Sequence, residues 1–210
     1  MGLKTVVDLR ATQETVEQPS AWVLATGARS IHLPLGEGGE GDATGLMRRP
    51  FAGELRSFGV DDLTLFYAGT VRREARNIGR ALEELSHPDS LPALVHRAAG
   101  KDRTALLIAI VLEALDVPRE IVVADYAMTE RLRPNRVAHY SDILSRHSIE
   151  PEAFSALFGA PPRAMSNLLL DGIDAEFGGV KEFLREAAGL SHEVLRALNG
   201  ALIEPNPSPA

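Results

Sequence analysis

The sequence predicts an α/β fold in which a central, mostly parallel sheet is flanked by helices and the C-terminal half is rich in helices. Two observations favour this fold. Short β-branched segments precede amphipathic helical patterns in the first half of the chain, and a strand, a tight turn and a buried helix follow one another near its middle. The chain has 210 residues, 45% of them hydrophobic, which is enough to bury a substantial core.

The first half contains three predicted strands and one long helix. Residues 4–10 and 29–35 carry the β-branched and apolar side chains of buried strands, and Ala93–His96 predicts a third. The glycine-rich, acidic stretch 36–45 predicts a loop that could serve as a lid. Apolar residues recur at helical spacing over 61–85, which predicts an amphipathic helix.

The second half is predicted to be almost entirely helical. Residues 104–115 are apolar nearly all round, as expected of a helix buried against a sheet. Further helices, several separated by Gly or Pro, are predicted over 120–132, 137–147, 151–158, 162–177, 180–188 and 191–202. We expect a single domain over 1–204, with a helical insertion at about 119–178 and a disordered tail at 205–210.

The composition excludes several functions. A formal net charge of −7 argues against a general binder of nucleic acid or of anionic membranes, so any anion site must be local. The chain has no cysteine, which excludes disulfides, thiolate metal sites and cysteine nucleophiles. The histidines lack ligand spacing, so we expect no metal and no cofactor. No signal segment and no membrane span is seen, which predicts a cytoplasmic protein.

The candidate functional site is the turn between the third strand and the buried helix. A strand ending at His96, a turn around Gly100 and a helix starting near Arg103 direct backbone N–H groups and a helix dipole at one point. Arg103 can offer a planar fork to two oxygens of an anion, and Lys101 adds a second positive charge. A nucleotide P-loop is excluded, because Asp102 stands where Ser or Thr is needed. A helix N-terminus surrounded by solvated charges is the alternative.

The stretch VHRAAGKDRTALLIAIVLEALDVPREIVVADY, residues 95–126, closely resembles the signature region of the bacterial tyrosine and phosphoinositide phosphatases of the mycobacterial secreted type, within the protein tyrosine phosphatase superfamily. The family pattern is His-Cys-x-x-Gly-Lys-Asp-Arg-Thr-Gly. The resemblance also covers TVVDLR, a downstream HLPL and the C-terminal FGGVKEFLREAAGLS, and so most of the chain. It implies a tyrosine phosphatase-like fold, phosphate binding by Arg103, and Asp102 at the position of the general acid.

The resemblance also implies a set of ligand-binding residues. Backbone amides from Ala98 to Arg103 would form a cradle for phosphate. The predicted ligand-binding residues are Arg10, Arg97, Ala98, Ala99, Gly100, Lys101, Asp102, Arg103 and Thr104.

One departure from the family pattern decides the predicted function. Arg97 stands at the position of the nucleophilic cysteine, and no other cysteine exists in the chain. A guanidinium stays protonated and has no lone pair with which to attack phosphorus. The usual cysteine-dependent phosphatase activity is therefore not expected, and whether the chain is an enzyme stays open. A second departure, Ala105 in place of glycine, is minor.

Three functions remain possible. The preferred one is a pseudophosphatase that binds a phosphorylated or other anionic small molecule, or a phosphoprotein, without hydrolysing it. The second is an enzyme that uses Asp102, His96 or Asp8 for acid–base chemistry on a small anionic metabolite. The third, ranked last, is a phosphatase in which water attacks directly, since neither a metal site nor another nucleophile replaces the thiolate.

The direction of Arg97 decides whether the cradle is open. If its side chain points inward it needs an anion, because a buried guanidinium without a counterion is costly. That anion would be a ligand or an internal carboxylate, for which Asp8 and Asp102 are the nearest candidates in the family arrangement. If Arg97 points outward, the cradle stays open but has no nucleophile.

Structural roles compete with the catalytic ones. A histidine at a buried strand end, such as His96, more often supports a loop by hydrogen bonding than acts as a catalyst. Asp102 could simply cap the helix that follows it. A basic cluster is formed by Arg131, Arg133 and Arg136. It could contact an acidic ligand at the rim of the cleft, but the favoured explanation is a solvated helix face.

Overall fold

A small parallel sheet organises the molecule. The computed structural model describes residues 2–36, 46, 49–97, 100–132 and 136–203. Within this part of the chain the strands are β1 (Thr5–Asp8), β2 (Arg29–His32) and β3 (Ala93–His96). They lie in the order β2–β1–β3, and both neighbouring pairs are parallel. The central strand β1 is buried at every position, whereas the edge strand β2 is mostly exposed.

Helices make up most of the rest. They are α1 (Thr12–Glu17), α2 (Ala21–Thr26), α3 (Val60–Arg73), α4 (Ala75–Leu85), α5 (Arg103–Ala114), α6 (Arg119–Leu132), α7 (Arg136–Arg146), α8 (Ser155–Phe158), α9 (Pro162–Asn167), α10 (Ala175–Phe177), α11 (Val180–Glu186) and α12 (His192–Leu202). A π-helical segment, Leu168–Asp174, joins α9 to α10, and short 3₁₀ turns lie at Pro88–Ser90 and Pro151–Phe154.

The strand–turn–helix unit at the centre matches the sequence prediction closely. The third strand has the predicted bounds, and α5 begins one residue before the predicted helix. The helix predicted over 61–85 is instead divided into α3 and α4 at Glu74, where the backbone leaves ideal helical geometry. The helix predicted over 162–177 contains the π-helical segment in its middle.

Two helices were not predicted. Both α1 and α2 have six residues and bury no side chain, so they carry no apolar stripe that periodicity could reveal. Of the predicted loop 36–45, residues 37–45 lie outside the described part of the chain, as does the predicted tail 205–210.

The core joins the sheet to the C-terminal helices. One buried cluster extends from Val7 on β1 to Leu198 on α12, and α11 and α12 pack on α5 and α4. Arg119 at the start of α6 donates to the carboxylates of Glu113 on α5 and Asp174 at the end of the π-helical segment, and so connects these three elements. Among the described helices, none combines the length and the apolar character needed to cross a bilayer.

A close backbone approach between α4 and the C-terminal region gives a test of this packing. A Cβ built on Gly79 would lie 2.5 Å from the carbonyl oxygen of Ala188. We expect Gly79→Ala to lower the free energy of unfolding by about 1–3 kcal/mol, because the backbone of one element would have to move. Urea denaturation followed by circular dichroism measures the change.

Gly200 on α12 provides the matched control. A Cβ built there meets no atom within 4 Å. Gly200→Ala should raise the free energy of unfolding by up to about 1 kcal/mol, through helix propensity alone. Equal stabilities for the two variants would contradict the close packing at Gly79.

Candidate anion-binding site

The carboxyl ends of β1 and β3 place two predicted site residues together. Asp8 and His96 end their strands at the same register, and their side chains approach with Nε2 of His96 3.6 Å from Oδ2 of Asp8. This Nε2 is buried and has no hydrogen-bond partner within the described part of the structure. Ligands of parallel α/β sheets bind beyond the carboxyl ends of the strands, so this edge is the expected location of a site.

Asp8 and Arg10 form a buried ion pair. Nε of Arg10 donates to Oδ1 of Asp8 at 2.9 Å and Nη2 donates to Oδ2 at 2.6 Å, while Nη1 donates to the carbonyl oxygen of Gln18 at 2.6 Å. Burial acts to raise the pKa of Asp8, but hydrogen bonds from Arg10 and the nearby charges of His96 and Arg10 lower it overall. Asp8 is therefore an ionised partner of Arg10, and each guanidinium nitrogen of Arg10 already donates within the protein.

In the turn after β3, the structure describes Gly100 and the residues that lead into α5. Gly100 has φ = +71°, in the left-handed region that favours glycine, and α5 follows with Asp102 at its N-cap. Asp102 makes no side-chain capping hydrogen bond. Ala98 and Ala99, which the resemblance assigns to the cradle, lie outside the described residues.

Lys101 is bound to the helical region that follows α7. Its Nζ donates to the carbonyl oxygens of Leu157 at 2.8 Å and Gly159 at 2.7 Å, and lies 3.1 Å from Oδ1 of Asp102. The side chain is 11% exposed. Lys101 thus anchors the turn to the end of α8.

Asp102 is held by tyrosines from two helices. The hydroxyl of Tyr67 on α3 donates to Oδ1 of Asp102 at 2.7 Å and lies 3.0 Å from the hydroxyl of Tyr126 on α6. Burial, followed by the negative charge of Asp102, raises the pKa of Tyr67 well above its usual value, so this hydroxyl stays protonated and able to donate. Asp102 thus accepts a hydrogen bond from Tyr67 and lies beside the ammonium of Lys101.

Two arginines of the turn converge on one carboxylate. Oε2 of Glu14 accepts a hydrogen bond from Nη1 of Arg103 at 3.3 Å, and Oε1 of Glu14 lies 3.8 Å from Nη2 of Arg97. The side chains of Arg103 and Arg97 are 1% and 11% exposed. Arg97 therefore lies against an internal carboxylate inside the site, and we refer to Glu14, Arg97 and Arg103 as the arginine cluster.

Glu14 is the site residue that the sequence analysis missed. The family arrangement made Asp8 and Asp102 the nearest expected internal carboxylates, but these pair with Arg10 and Lys101. Glu14 lies on α1, three residues after Ala11, whose N–H donates to Oε2 of Glu14 at 2.8 Å. The sequence carries no capping-box signature here, because Ala11 lacks the side-chain oxygen of the Ser or Thr that usually stands three residues before such a glutamate.

Arg103 keeps two donors without a protein acceptor. Nε and Nη2 of Arg103 are buried and have no hydrogen-bond partner among the described residues, and the same holds for the hydroxyl of Thr104. Nε and Nη2 form one edge of the guanidinium plane, the edge that binds two oxygens of a carboxylate or phosphate side by side. Buried donors of this kind are rarely left unsatisfied in folded proteins, so this edge is suited to an oxyanion.

Comparisons with known proteins identify the family of this chain. The model of the tyrosine phosphatase family matches residues 1–204. The chain belongs to the tyrosine phosphatase family. Over 122 residues it is 29% identical to the triple specificity protein phosphatase PtpB of Mycobacterium tuberculosis (strain ATCC 25618 / H37Rv), an alignment that covers 53% of this chain and 44% of that protein. The resemblance drawn from the signature region and the α/β phosphatase-like fold are both confirmed.

Two further predictions for this member of the tyrosine phosphatase family concern the basic cluster at the rim of the site and the absence of a metal site. Arg131 is exposed on α6, whereas Arg133 and the side chain of Arg136 lie outside the described part of the chain, so the basic cluster stays a prediction. Among the described residues, no group of three or more His, Asp or Glu side chains is placed to hold a metal ion.

The Asp8–Arg10 pair gives a pH-dependent prediction. We expect Asp8→Asn to lower the free energy of unfolding at pH 7 by about 3–5 kcal/mol, because it leaves a buried guanidinium without its counterion. Since the pKa of Asp8 is lowered in the folded state, its contribution is present at neutral pH and is lost as the pH falls below its ordinary value of 3.8. Urea unfolding from pH 7 to pH 3 should show the two proteins converging in acid.

The exposed Asp61 on α3 supplies the control for this experiment. Asp61→Asn removes the same charge and should change the free energy of unfolding by no more than about 0.5 kcal/mol. A gap between wild type and Asp8→Asn that stays constant down to pH 3 would show that the ionised pair is not the source of the stability.

Proposed function

We propose that this member of the tyrosine phosphatase family is a pseudophosphatase, which binds a phosphorylated or other oxyanionic ligand without hydrolysing it. The observation that carries the proposal is the Nε–Nη2 edge of Arg103. It is buried, it belongs to a side chain that is 1% exposed, and it has no acceptor among the described residues. An oxyanion seated there would accept two charge-assisted hydrogen bonds.

The balance of charge in the site supports the same ligand class. Arg97 and Arg103 share the single negative charge of Glu14. The neighbouring charges are already matched, with Asp8 against Arg10 and Asp102 against Lys101. The guanidinium of Arg103, whose Nε–Nη2 edge has no acceptor among the described residues, therefore favours an anionic ligand.

The residues present do not support the phosphatase reaction of the family. Arg97 stands where the resemblance places the nucleophilic cysteine, and the whole chain contains no cysteine. A guanidinium cannot attack phosphorus to form a phosphoenzyme. The carboxylate of Asp102, which the resemblance assigns as the general acid, is engaged by the hydroxyl of Tyr67 and the ammonium of Lys101.

The same contacts argue against an acid–base enzyme built on these residues. The pKa of Asp8 is lowered beside Arg10, which makes Asp8 a poor proton donor near neutral pH, and the carboxylate of Asp102 is already bound by Lys101 and Tyr67. The name of the mycobacterial relative, a triple specificity protein phosphatase, supports phosphorylated molecules as the ligand class for this chain. We therefore favour a phosphorylated small molecule or a phosphoprotein as the ligand.

Phosphate binding tests the proposal directly. In isothermal titration calorimetry, we expect wild type to bind inorganic phosphate and Arg103→Met to bind it at least about tenfold more weakly, because hydrogen bonds to a charged group are lost. Arg103→Lys, which keeps the charge but not the fork, should fall between them. The control is Arg196→Met, which removes the same charge from an exposed position on α12.

Absence of phosphate binding by folded wild-type protein would refute the anion site. Steady turnover of p-nitrophenyl phosphate by wild type would refute the pseudophosphatase assignment while leaving the site intact. The thermal melting temperature of each variant shows that it is folded.

Restoring the nucleophile tests whether the site still fits phosphate. We expect Arg97→Cys to gain turnover of p-nitrophenyl phosphate at least about tenfold above Arg97→Ser, because a thiolate at the N-terminus of α5 can attack phosphorus and a hydroxyl there cannot. Arg97→Ser is the matched control, since it removes the same guanidinium. Equal rates for the two variants would show that the geometry no longer presents phosphorus to position 97.

A further inference from the structure

A buried tyrosine holds the carboxylate that precedes Arg103 in the chain. The hydroxyl of Tyr67 on α3 donates to Oδ1 of Asp102 at 2.7 Å, and Nζ of Lys101 lies 3.1 Å from the same oxygen. Tyr67 is fully buried, and the Asp102 side chain is 17% exposed. Water therefore does not compete for the tyrosine hydroxyl, which strengthens its hydrogen bond to Asp102.

A second tyrosine completes this arrangement. The hydroxyl of Tyr126 on α6 lies 3.0 Å from that of Tyr67, and the two rings meet edge to face. A hydroxyl carries one hydrogen, so Tyr67, which donates to Asp102, accepts from Tyr126. The hydrogen bonds from Tyr126 to Tyr67 and from Tyr67 to Asp102 connect the start of α5 to two other helices.

The direction of the Asp102 side chain matters because the usual role of an aspartate at this position would occupy the site. An N-cap aspartate normally has an extended backbone and accepts an N–H of the first helical turn. Asp102 makes no such side-chain bond, and its backbone lies in the right-handed helical region. Leu106 donates to the carbonyl oxygen of Asp102, so the N–H groups of the three residues before Leu106 have no acceptor within the helix.

Those N–H groups belong to the same turn as Arg103. The side chain of Arg103 is 1% exposed, and its Nε and Nη2 have no acceptor among the described residues. The start of α5 therefore combines main-chain donors with a buried guanidinium edge, and both bind oxyanions. A carboxylate of the protein itself is chemically suited to the same donors.

We propose that Tyr67 is a positioning residue that keeps the anion site open by holding the carboxylate of Asp102 away from it. This inference rests on the proposed function and deepens it. A carboxylate released at position 102 is an oxyanion attached to the chain beside the site, so it competes with the ligand at a high effective concentration. Tyr67, together with Lys101, binds Asp102 on the side of the helices and leaves the donors of Arg103 to a phosphorylated ligand.

Removing one oxygen atom tests this role. In calorimetry with inorganic phosphate, we expect Tyr67→Phe to bind at least about fivefold more weakly than wild type, because the lost hydrogen bond releases the competing carboxylate. The matched control is Thr70→Val on the same helix. Thr70 is buried, and its hydroxyl donates to the carbonyl oxygen of Phe66 at 2.9 Å.

The control variant also removes a buried hydroxyl from α3, but that hydroxyl bonds only within its own helix turn. Thr70→Val should leave the dissociation constant for phosphate within about twofold of wild type. An equal loss of affinity in Tyr67→Phe and Thr70→Val would reduce the effect to the stability of α3 and overturn the proposal. Thermal melting shows that each variant is folded.

Removing the charge of Asp102 separates positioning from a purely structural role. In an Asp102→Asn background, Tyr67→Phe should change the dissociation constant for phosphate by less than about twofold, because no carboxylate remains to be released. A loss that persists at about fivefold in this background would show that Tyr67 acts through packing, and would overturn the proposal.

A pair of variants at position 102 tests the competition while Tyr67 is intact. Asp102→Glu moves the carboxylate by one methylene, out of the geometry that Tyr67 and Lys101 bind, and Asp102→Gln is its neutral counterpart. The glutamate variant should bind phosphate at least about fivefold more weakly than the glutamine variant, a larger ratio than that between wild type and Asp102→Asn. This comparison needs no change at Tyr67, so it also decides the matter if Tyr67→Phe does not fold.

The outcomes distinguish the two levels of the argument. A ratio between the glutamate and glutamine variants no larger than that between wild type and Asp102→Asn would overturn the competition. If wild type binds phosphate and folded Tyr67→Phe binds it equally well, the role of Tyr67 fails while the anion site stands. If folded wild type does not bind phosphate, the proposed function itself fails.

Discussion

The contact between Glu14 and Arg103 is the interaction on which the site depends. Arg103 is 1% exposed at the first turn of α5, and a guanidinium buried this deeply is tolerated only beside negative charge. Glu14 comes from the short helix after β1, whereas Arg103 comes from the helix after β3. The parallel register of β1 with β3 brings these two connections to the same sheet edge, so the sheet topology is what allows the pair to form.

The rest of the turn is fixed by the helices that surround it. Lys101 is bound to carbonyls at the end of α8, and Asp102 is bound to Tyr67 of α3. The family resemblance assigns both Lys101 and Asp102 to the phosphate site. In this structure their side chains connect the turn to the helical half of the chain. Contacts from several helices therefore hold Lys101 and Asp102 in position. Nε and Nη2 of Arg103, in contrast, have no hydrogen-bond acceptor among the described residues.

Local pattern was enough to predict the centre of the fold but not the partners within the site. The apolar strand, the glycine turn and the buried helix are each encoded by neighbouring residues, and their predicted bounds agree closely with the structure. The helix α1 buries nothing, so periodicity could not find it, and Glu14 was missed with it. Pairing of Glu14 with Arg103 spans 89 positions along the chain, and such contacts follow from topology rather than from local spacing.

An arginine at position 97 changes what the site can do in two linked ways. The resemblance places the nucleophilic cysteine of the family at this position, and the proposed function follows from the difference: a guanidinium attracts an oxyanion, whereas it cannot attack phosphorus as a thiolate does. An interaction that stabilises the ground state and the transition state equally does not accelerate a reaction. Under the proposed function, a positive charge without a nucleophile therefore favours binding of the ligand without its turnover. Glu14 moderates that attraction, because its carboxylate lies against both guanidinium groups.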